Sequence, residues 1–445
     1  MLNKRMKCLF SAEAAKRQTF RTKEKRMNTD ITYAQELDAK DALASFRDRF
    51  VITDPDLIYM DGNSMGRMPK ATIDLLEELK HDWSDRLIRT WGEKHFYAFQ
   101  NLGKKMSKLL GAGEDEVLVT ESTSINLFKL IVATLKAQSG RKKIITDDMN
   151  FPSDLYVIDG IIDMLDSNHT IEVVKSNDEI HGPAAEIISK IDENTALITL
   201  SYTSFKSAFN YDMAAINQAA HDAGALVIWD LSHSVGSVPV DFAGTNTDMA
   251  VGCTYKYVNG GPGSPAFLYV RKDLHGKLKN PITGWMSQKN QFDFGLDYNP
   301  LPGIEQFLTG TPTLLSMAPI GVGVDMLLEA GMDNVRAKSV ALSEYMIGLY
   351  DELLAPLGFS LKSPRDSKVR GSHISFGHPE GWRITQCLIE DKNVIPDFRA
   401  PNNIRLGITP LYASFEEMHQ VVMYLKEIVE NKEYESYSTE FSTVT

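Results

Sequence analysis

The sequence predicts an α/β protein whose larger part is built on a mostly parallel, doubly wound sheet. Between about residues 115 and 270, short apolar runs rich in β-branched residues alternate with polar, helix-compatible stretches. This alternation is typical of parallel strands joined by helical crossovers. From about residue 335 onward the pattern changes to helix, strand, helix, which indicates a second, smaller domain. A chain of 445 residues is long enough for both.

Apolar runs and apolar periodicity place the individual elements. Strands are expected at residues 114–120, 144–146, 171–174, 196–201, 225–229, 249–253, 266–270, 372–376 and 394–395. Helices are expected at 30–50, from 69 to about 83, from about 125, at 320–328 and at 382–389. The stretch from Tyr59 to Gly66 is expected to be a turn because it contains Asp, Gly, Asn and Ser.

The first 27 residues are basic, unlike the rest of the chain. They hold nine Lys or Arg and two Glu, a net charge of +7 against −12 for the whole chain. They lack an apolar stretch long enough for a secretory signal. The segment is either an organelle-targeting leader or the product of an upstream start codon, with Met27 as the true beginning, and we favour the second reading. We expect residues 1–28 to be disordered.

Composition excludes several classes of function. A net charge of −12 argues against nucleic acid or an anionic membrane as a partner. No apolar run reaches the roughly 18 residues of a membrane-spanning helix. The three cysteines (Cys8, Cys253 and Cys387) are too few and too scattered for a disulfide framework or a zinc site. We therefore expect a protein of the reducing cytoplasm, with no metal site.

Two neighbouring strands bring an acid, an imidazole and an amine to one crevice. Asp230 ends the run at 225–229, His233 follows it, and Lys256 follows the run at 249–253. Ligands of open α/β sheets bind beyond the carboxyl ends of the strands. A lysine that forms a Schiff base and an acid that pairs with a protonated pyridine nitrogen are the requirements of a pyridoxal-phosphate enzyme. Taken alone, Lys256 could be a surface lysine, and the following Gly260, Gly261 and Gly263 a plain turn.

The residues around this site resemble those of a known family. Asp230 to Gly236 reads DLSHSVG, and Tyr255 to Gly263 reads YKYVNGGPG. These stretches closely resemble the kynureninases, and the likeness extends from about Asp30 to Glu430. The resemblance implies a fold-type I pyridoxal-phosphate enzyme. Its large domain would contain a mostly parallel seven-stranded sheet and its smaller C-terminal domain would be α+β. The expected divisions are 1–28 (leader), 29–65 (a segment packing on the C-terminal domain), 66–330 (large domain), 331–435 (small domain) and 436–445 (tail).

The resemblance also implies a set of residues that hold pyridoxal phosphate. The cofactor-binding set is Thr123, Ser124, Phe151, Asp154, Ser201, Asp230, His233, Tyr255, Lys256, Trp285 and Thr311, and Lys256, Asp230 and Tyr255 are the catalytic residues. By sequence alone Thr123 and Ser124 could be simple helix caps, although a helix N-terminus also favours a phosphate. Phe151 occupies the position of an aromatic residue that stacks on the pyridine ring.

A second implied set binds the substrate and consists of Arg405, Trp91, Ser64 and Gly310. Arg405 would hold the α-carboxylate of the substrate with its two-pronged guanidinium. Without the resemblance, Arg405 is a half-exposed strand residue, Trp91 a packing residue, and the stretches around Ser64 and Gly310 plain turns.

The implied activity is hydrolysis of L-kynurenine, and also of 3-hydroxykynurenine, to anthranilate or 3-hydroxyanthranilate and L-alanine, a step of tryptophan catabolism. Trp91 and Thr311 resemble the residues of kynurenine-preferring bacterial members. Lys256 would remove the Cα proton, and a homodimer with shared active sites is expected.

A transaminase would need the same Lys256 and Asp230, so it stays open, as does a catalytically silent binding protein. A cysteine desulfurase is disfavoured because Cys387 lies in a predicted apolar helix.

Overall fold

Thirteen strands are present in the computed structural model, which describes residues 27–440. They are β1 (Ile58–Tyr59), β2 (Val117–Val119), β3 (Lys143–Asp147), β4 (Thr170–Val174), β5 (Thr195–Ser201), β6 (Leu226–Asp230), β7 (Met249–Gly252), β8 (Phe267–Val270), β9 (Ser360–Leu361), β10 (His373–Gly377), β11 (Val394–Ile395), β12 (Asp397–Arg399) and β13 (Asn403–Gly407). Most of the expected strands are found within one to three residues of their predicted ends. The basic leader lies outside the described residues up to position 26, and so do the last five residues of the tail.

Eleven α-helices connect or follow these strands within residues 27–440. They are α1 (Ile31–Asp38), α2 (Ala71–His81), α3 (Ala98–Leu110), α4 (Thr123–Ala137), α5 (Pro152–Met164), α6 (Ala184–Ser189), α7 (Met213–Asp222), α8 (Leu314–Ala330), α9 (Met332–Leu349), α10 (Gly381–Lys392) and α11 (Phe415–Glu430). Helix α4 is apolar on most of its surface and packs across β5, β6, β7 and β8. No single helix among the described residues is long and apolar enough to cross a membrane; α8 and α9 pass that test only as a pair bent by 82°.

The large sheet contains seven strands in the order β2-β8-β7-β6-β5-β3-β4. All neighbours are parallel except β8, which runs antiparallel to both β2 and β7. The prediction of a mostly parallel, seven-stranded sheet is confirmed. Ser201 pairs with Asp230, and Asp230 with Val251, so β5, β6 and β7 end side by side. The loops after β6 and β7 therefore begin at the same end of the sheet. The sequence predicts this arrangement, because Asp230 and Lys256 were expected to meet beyond the carboxyl ends of these strands.

The smaller unit is built on a four-stranded antiparallel sheet in the order β12-β13-β10-β9. Its buried face includes Ile374, Phe376, Ile404 and Leu406, which pack with apolar residues of α9, α10 and α11. Strand β11 lies outside this sheet and pairs in parallel with β1, from the N-terminal segment. The chain before the large sheet thus contributes a strand beside the smaller unit.

The N-terminal segment differs from its predicted form. The single helix expected over residues 30–50 is wrong: α1 ends at Asp38, and a short 3₁₀ helix follows at Ala44–Arg49. The Asp38 carboxylate accepts the backbone N–H groups of Phe415 and Glu416 at the start of α11. These contacts hold Asp38 against α11, and α1 does not continue beyond this residue.

This N-terminal segment packs on both units. Ala34, Ile58 and Met60 belong to the apolar core of the smaller unit. Leu43, Phe46 and Phe50 belong to the core of the large unit. The segment at 29–65 therefore contacts the C-terminal part of the chain and also ties it to the large sheet.

Replacing Gly323 with Ala should destabilise the protein, because a Cβ at this position would lie 1.7 Å from the carbonyl oxygen of Val258, in the turn after Lys256. Such overpacking against backbone lowers the free energy of unfolding by about 1–3 kcal/mol. Gly321→Ala is the matched control in the same helix: its nearest neighbours lie 3.9 Å away, and Ala favours a helix interior over Gly by about 0.5–1 kcal/mol. Calorimetry should show a lower midpoint for Gly323→Ala only; equal midpoints would contradict the close contact.

Candidate active site

Lys256 and His233 meet beyond the carboxyl ends of β6 and β7. The Nζ atom of Lys256 lies 3.1 Å from Nε2 of His233. His233 is buried and Lys256 half-buried. Burial lowers the pKa of Lys256, and the nearby positive charge of Arg405 adds to this effect. The amine is thereby held closer to its neutral, nucleophilic form.

The imidazole of His233 is held in its neutral form. Burial, and then the positive charges of Lys256 and Arg405, hold the pKa of His233 well below its usual range. A neutral imidazole can accept a hydrogen bond from Lys256 without adding a further cation to the site. His233 therefore positions the amine of Lys256 by a hydrogen bond. Because the imidazole is uncharged, it does not compete with Lys256 for a negatively charged partner.

Two buried carboxylates, Asp230 and Asp154, lie near Lys256. Burial raises the pKa of Asp230, whose carboxylate accepts the N–H and the hydroxyl of Ser232 at 2.7 and 2.6 Å. Burial and the charge of Asp230 raise the pKa of Asp154 well above its usual range. The Oδ2 atom of Asp154 has no hydrogen-bond partner in the described part of the chain. An orphaned buried carboxylate beside a second one fits a site whose bound group brings a positively charged N–H.

A cavity of about 720 Å³ opens beside this cluster, and small hydroxyl side chains line it. Among the predicted residues, it is lined by Thr123, Ser124, Tyr255, Gly310 and Thr311. Thr123 and Ser124 are the first residues of α4, where backbone N–H groups lack helical acceptors. A dianionic phosphate fits this wall, because the helix N-terminus and the hydroxyls all donate to an anion.

The cap of α4 differs from the sequence interpretation. The N-cap is Ser122, whose side chain accepts the backbone N–H of Ile125 at 3.4 Å. Thr123 and Ser124 are therefore not needed as caps. The hydroxyl of Ser124 lies 3.2 Å from that of Ser153, at the start of α5.

Phe151 and Ser201 lie on the same side of the sheet edge. Phe151 is partly exposed and packs edge-to-face against Phe205, with ring centroids 5.3 Å apart. One face of Phe151 can therefore take a flat ring. Ser201 is buried and donates to Oδ1 of Asn150 at 2.6 Å. Asn150 was not singled out in the sequence, although it immediately precedes Phe151.

Tyr255 lines the cavity and lies in the loop that follows β7. The neighbouring Cys253 thiol and burial raise the pKa of Tyr255 above its usual range, so the phenol keeps its proton. The ammonium of Lys256 lies 6.0 Å from the centre of the Tyr255 ring. A protonated phenol at this place can donate to a phosphate or to a reacting carbon.

Arg405 reaches the cluster from β13 of the smaller unit. It is fully buried, donates to the backbone oxygen of Phe205 at 2.7 Å, and lies 3.4 Å from His233. It also donates to the hydroxyl of Ser64 at 3.0 Å. The structure thus brings together Lys256, His233, Arg405 and Ser64, from four separate parts of the chain.

Trp91 and Trp285 lie elsewhere. Their rings stack on each other with centroids 6.3 Å apart. Among the described residues, neither lines the large cavity; Trp91 lines a separate, apolar cavity of about 400 Å³ with Trp83, Leu87 and Leu315. Within one chain, the two tryptophans are therefore not brought to Lys256.

The sequence interpretation missed a buried lysine beneath the cavity wall. Lys129 of α4 is fully buried, donates to the backbone oxygen of Phe307 at 3.0 Å, and pairs with Glu121 at 3.5 Å. Glu121 in turn accepts the hydroxyl of Thr309. These contacts hold the chain just before Gly310 and Thr311 against α4. The only sequence signal was a Lys inside an otherwise apolar helical run.

Known proteins resemble this chain in two ways: some in sequence and others in fold. A family model described as the kynureninase C-terminal domain matches residues 335–425. A kynureninase from Pseudomonas fluorescens is 40% identical over 402 residues, which cover 89% of this chain and 94% of that protein. The chain belongs to the kynureninase family. Among solved structures, an apo cysteine desulfurase from Thermococcus onnurineus NA1 shares a TM-score of 0.74 at 19% identity, over 87% of this chain and 98% of that one.

A further structural neighbour carries the cofactor expected from the sequence. It is a C-DES mutant with glycine covalently linked to the PLP cofactor, with a TM-score of 0.70 at 17% identity over 84% of this chain and 97% of that one. At these identities the structural neighbours establish the fold, and they confirm the predicted fold-type I architecture. Membership of the kynureninase family confirms the predicted enzyme class, a pyridoxal-phosphate-dependent hydrolase.

Replacing Glu121 with Gln should destabilise the protein more than replacing Lys129 with Met. The first change leaves a buried cation without its carboxylate; the second removes the cation itself. We expect Glu121→Gln to lower the free energy of unfolding by about 1–3 kcal/mol, less than for a fully buried pair, since Glu121 is partly exposed. Adding Lys129→Met to Glu121→Gln should recover part of this loss.

The effect of Glu121→Gln should also depend on pH. Burial lowers the pKa of Lys129 and Glu121 opposes this, so the variant lowers it further. The unfolded chain then binds more protons than the folded one, and stability rises with pH. The gap between wild type and variant in thermal melts should shrink from pH 6 to pH 9; a constant gap would show that Glu121 does not change the protonation of Lys129 in the folded state over this range.

Proposed function

We propose that this chain hydrolyses L-kynurenine to anthranilate and L-alanine, with pyridoxal phosphate as its cofactor. The observation that carries the proposal is the meeting of Lys256, two buried carboxylates and a buried arginine beside a hydroxyl-lined cavity, in a chain 40% identical to a kynureninase. The lysine supplies the amine that such a cofactor binds covalently. The arginine supplies a counterion for an amino-acid carboxylate.

In this proposal, the phosphate of the cofactor binds Thr123, Ser124 and the loop at Gly310–Thr311. Phe151 covers one face of the ring. Asp230 would accept a hydrogen bond from the protonated pyridine nitrogen, and this positive charge would favour the ionised carboxylate against the burial that raises its pKa. Asp154 and Ser201 would complete the polar contacts of the ring substituents, with Ser201 held by Asn150.

The reaction would then be divided among residues of this chain. The bound cofactor supplies an electron sink for the carbanion chemistry. Lys256 would remove the proton at Cα of the bound substrate, and its lowered pKa favours this base role. Asp230 keeps the pyridine nitrogen protonated throughout. Tyr255 holds a proton that it can donate where the Cβ–Cγ bond breaks after water has added to the Cγ carbonyl.

Sulfur chemistry is disfavoured by the described cysteines. Cys387 is buried in α10, and burial and Asp391 raise its pKa to about 12, which suppresses the thiolate. Burial also raises the pKa of Cys253. Amino-group transfer would use the same Lys256 and Asp230, so a transaminase assay with keto acids is the relevant comparison.

The stacked Trp91 and Trp285 support a homodimer in which each site takes residues from both subunits. Trp285 is exposed, as are the apolar side chains of Trp83, Leu87, Ile88, Phe292, Phe294 and Leu296, and Trp91 stacks on Trp285 within this apolar patch. A patch of this kind marks an interaction surface. A second copy of the chain would cover this patch and bring its own Trp285 to the Lys256 of the first copy.

We further propose that the enzyme acts in the cytoplasm and prefers kynurenine to 3-hydroxykynurenine.

Lys256→Ala should abolish anthranilate formation, followed by fluorescence with L-kynurenine and pyridoxal phosphate. The loss should be at least about a thousandfold, because both the covalent anchor and the base are removed. Lys279→Ala, at an exposed lysine of the same domain, is the control and should retain full activity. A wild-type protein that binds the cofactor but forms no anthranilate would overturn the proposed reaction, and the same assay with 3-hydroxykynurenine tests the substrate preference.

Mixing two inactive variants should restore activity if the sites are shared. A hybrid of Lys256→Ala and Trp285→Ala chains contains one site with Lys256 and the partner's Trp285 both intact. Random pairing should return about a quarter of wild-type activity by the statistics of C₂ assembly. If each chain used only its own Trp285, the mixture would stay as inactive as its parents.

A further inference from the structure

Arg405 is buried with most of its donors already engaged. Its side chain is 1% exposed, and its terminal nitrogens contact Phe205, His233, Ser64 and Asp397. The remaining nitrogen, Nε, is buried and has no hydrogen-bond partner within residues 27–440. An unpaired buried N–H is costly, so an acceptor brought by a bound molecule would stabilise this donor.

Asp397 is the carboxylate that holds Arg405. The two residues are direct partners in the antiparallel register of β12 and β13, which places both side chains on one face of the small sheet. Asp397 is 3% exposed at its side chain and also pairs with Arg399 at 2.8 Å. The hydroxyl of Ser64, from the N-terminal segment, lies 3.4 Å from the same carboxylate oxygen.

The surroundings of this pair include a second arginine and a second acid. Arg405 and Arg399 supply two positive charges against Asp397. The other nearby acid is Asp61: burial and the charge of Asp397 raise its pKa to about 6. Arg399 also has a buried Nε without a partner in the described chain. An incoming carboxylate would therefore meet unsatisfied N–H groups of both arginines.

We propose that Asp397 is a positioning residue that orients Arg405 so that its free N–H meets the α-carboxylate of the substrate. This rests on the proposed function, in which Arg405 binds that carboxylate. Asp397 itself touches neither the reacting atoms nor the cofactor. Its carboxylate fixes the plane of the guanidinium by a charge-assisted contact, and Arg399 offsets the repulsion between Asp397 and the incoming anion.

The test compares two ligands that differ only in the carboxylate. L-Alanine and L-alaninamide are titrated into the holoenzyme, and binding is followed by the absorbance of the bound cofactor. Wild type should favour L-alanine. Asp397→Asn should lower this preference about tenfold, mainly by weakening L-alanine, because one charge-assisted contact is worth a factor of this order. In turnover, the same variant should raise KM with little change in kcat.

Three further variants keep the result interpretable. Asp397→Glu should restore part of the preference, and Asp351→Asn, which breaks the exposed pair with Arg365, should leave it unchanged. An unchanged preference in Asp397→Asn, or equal weakening of both ligands, would overturn the positioning role. Arg405→Lys tests the proposed function separately: if that variant also leaves the preference unchanged, Arg405 does not bind the carboxylate.

Discussion

Charge buried where the large sheet meets the smaller unit is the constraint on which the rest of this structure depends. Lys256, Arg405, Asp230, Asp154 and Asp397 are held there at low exposure to water, although an ion in a protein interior is costly unless it is paired. Some of these groups are paired within the chain, as Arg405 is with Asp397. Others, such as the Oδ2 atom of Asp154, have no partner among the described residues. In the proposed function, a cationic ring and an anionic substrate would supply the missing partners.

Strands of two sheets hold these charges in place. The parallel register of β5, β6 and β7 sets Ser201, Asp230 and the loop to Lys256 at one edge of the large sheet. The antiparallel register of β12 and β13 sets Asp397 opposite Arg405. Because both registers are fixed by buried apolar strands, the functional side chains are positioned before any ligand binds.

The cavity wall depends on a second, less obvious charge. Lys129 is a buried residue of α4, and through Glu121 and Phe307 it ties the N-terminus of this helix to the segment before Gly310 and Thr311. A phosphate bound at this wall would thus face two elements that are linked through a single buried ammonium. Trp285, in contrast, is exposed on the single chain and stacks on Trp91, and the second copy that we propose would cover it.

Local patterns in the sequence were sufficient to predict the parallel sheet and the residues that follow its strands. Apolar strand runs, and the residues that end them, are local properties of the chain. Asp230 and Lys256 could be recognised in this way, and with them the family. Tertiary structure alone decided contacts between distant segments. It placed Asp38, the last residue of α1, against the start of α11. It also paired Arg405 with Asp397 and buried Lys129, since the partner of a charged side chain depends on which strands and helices become neighbours in space.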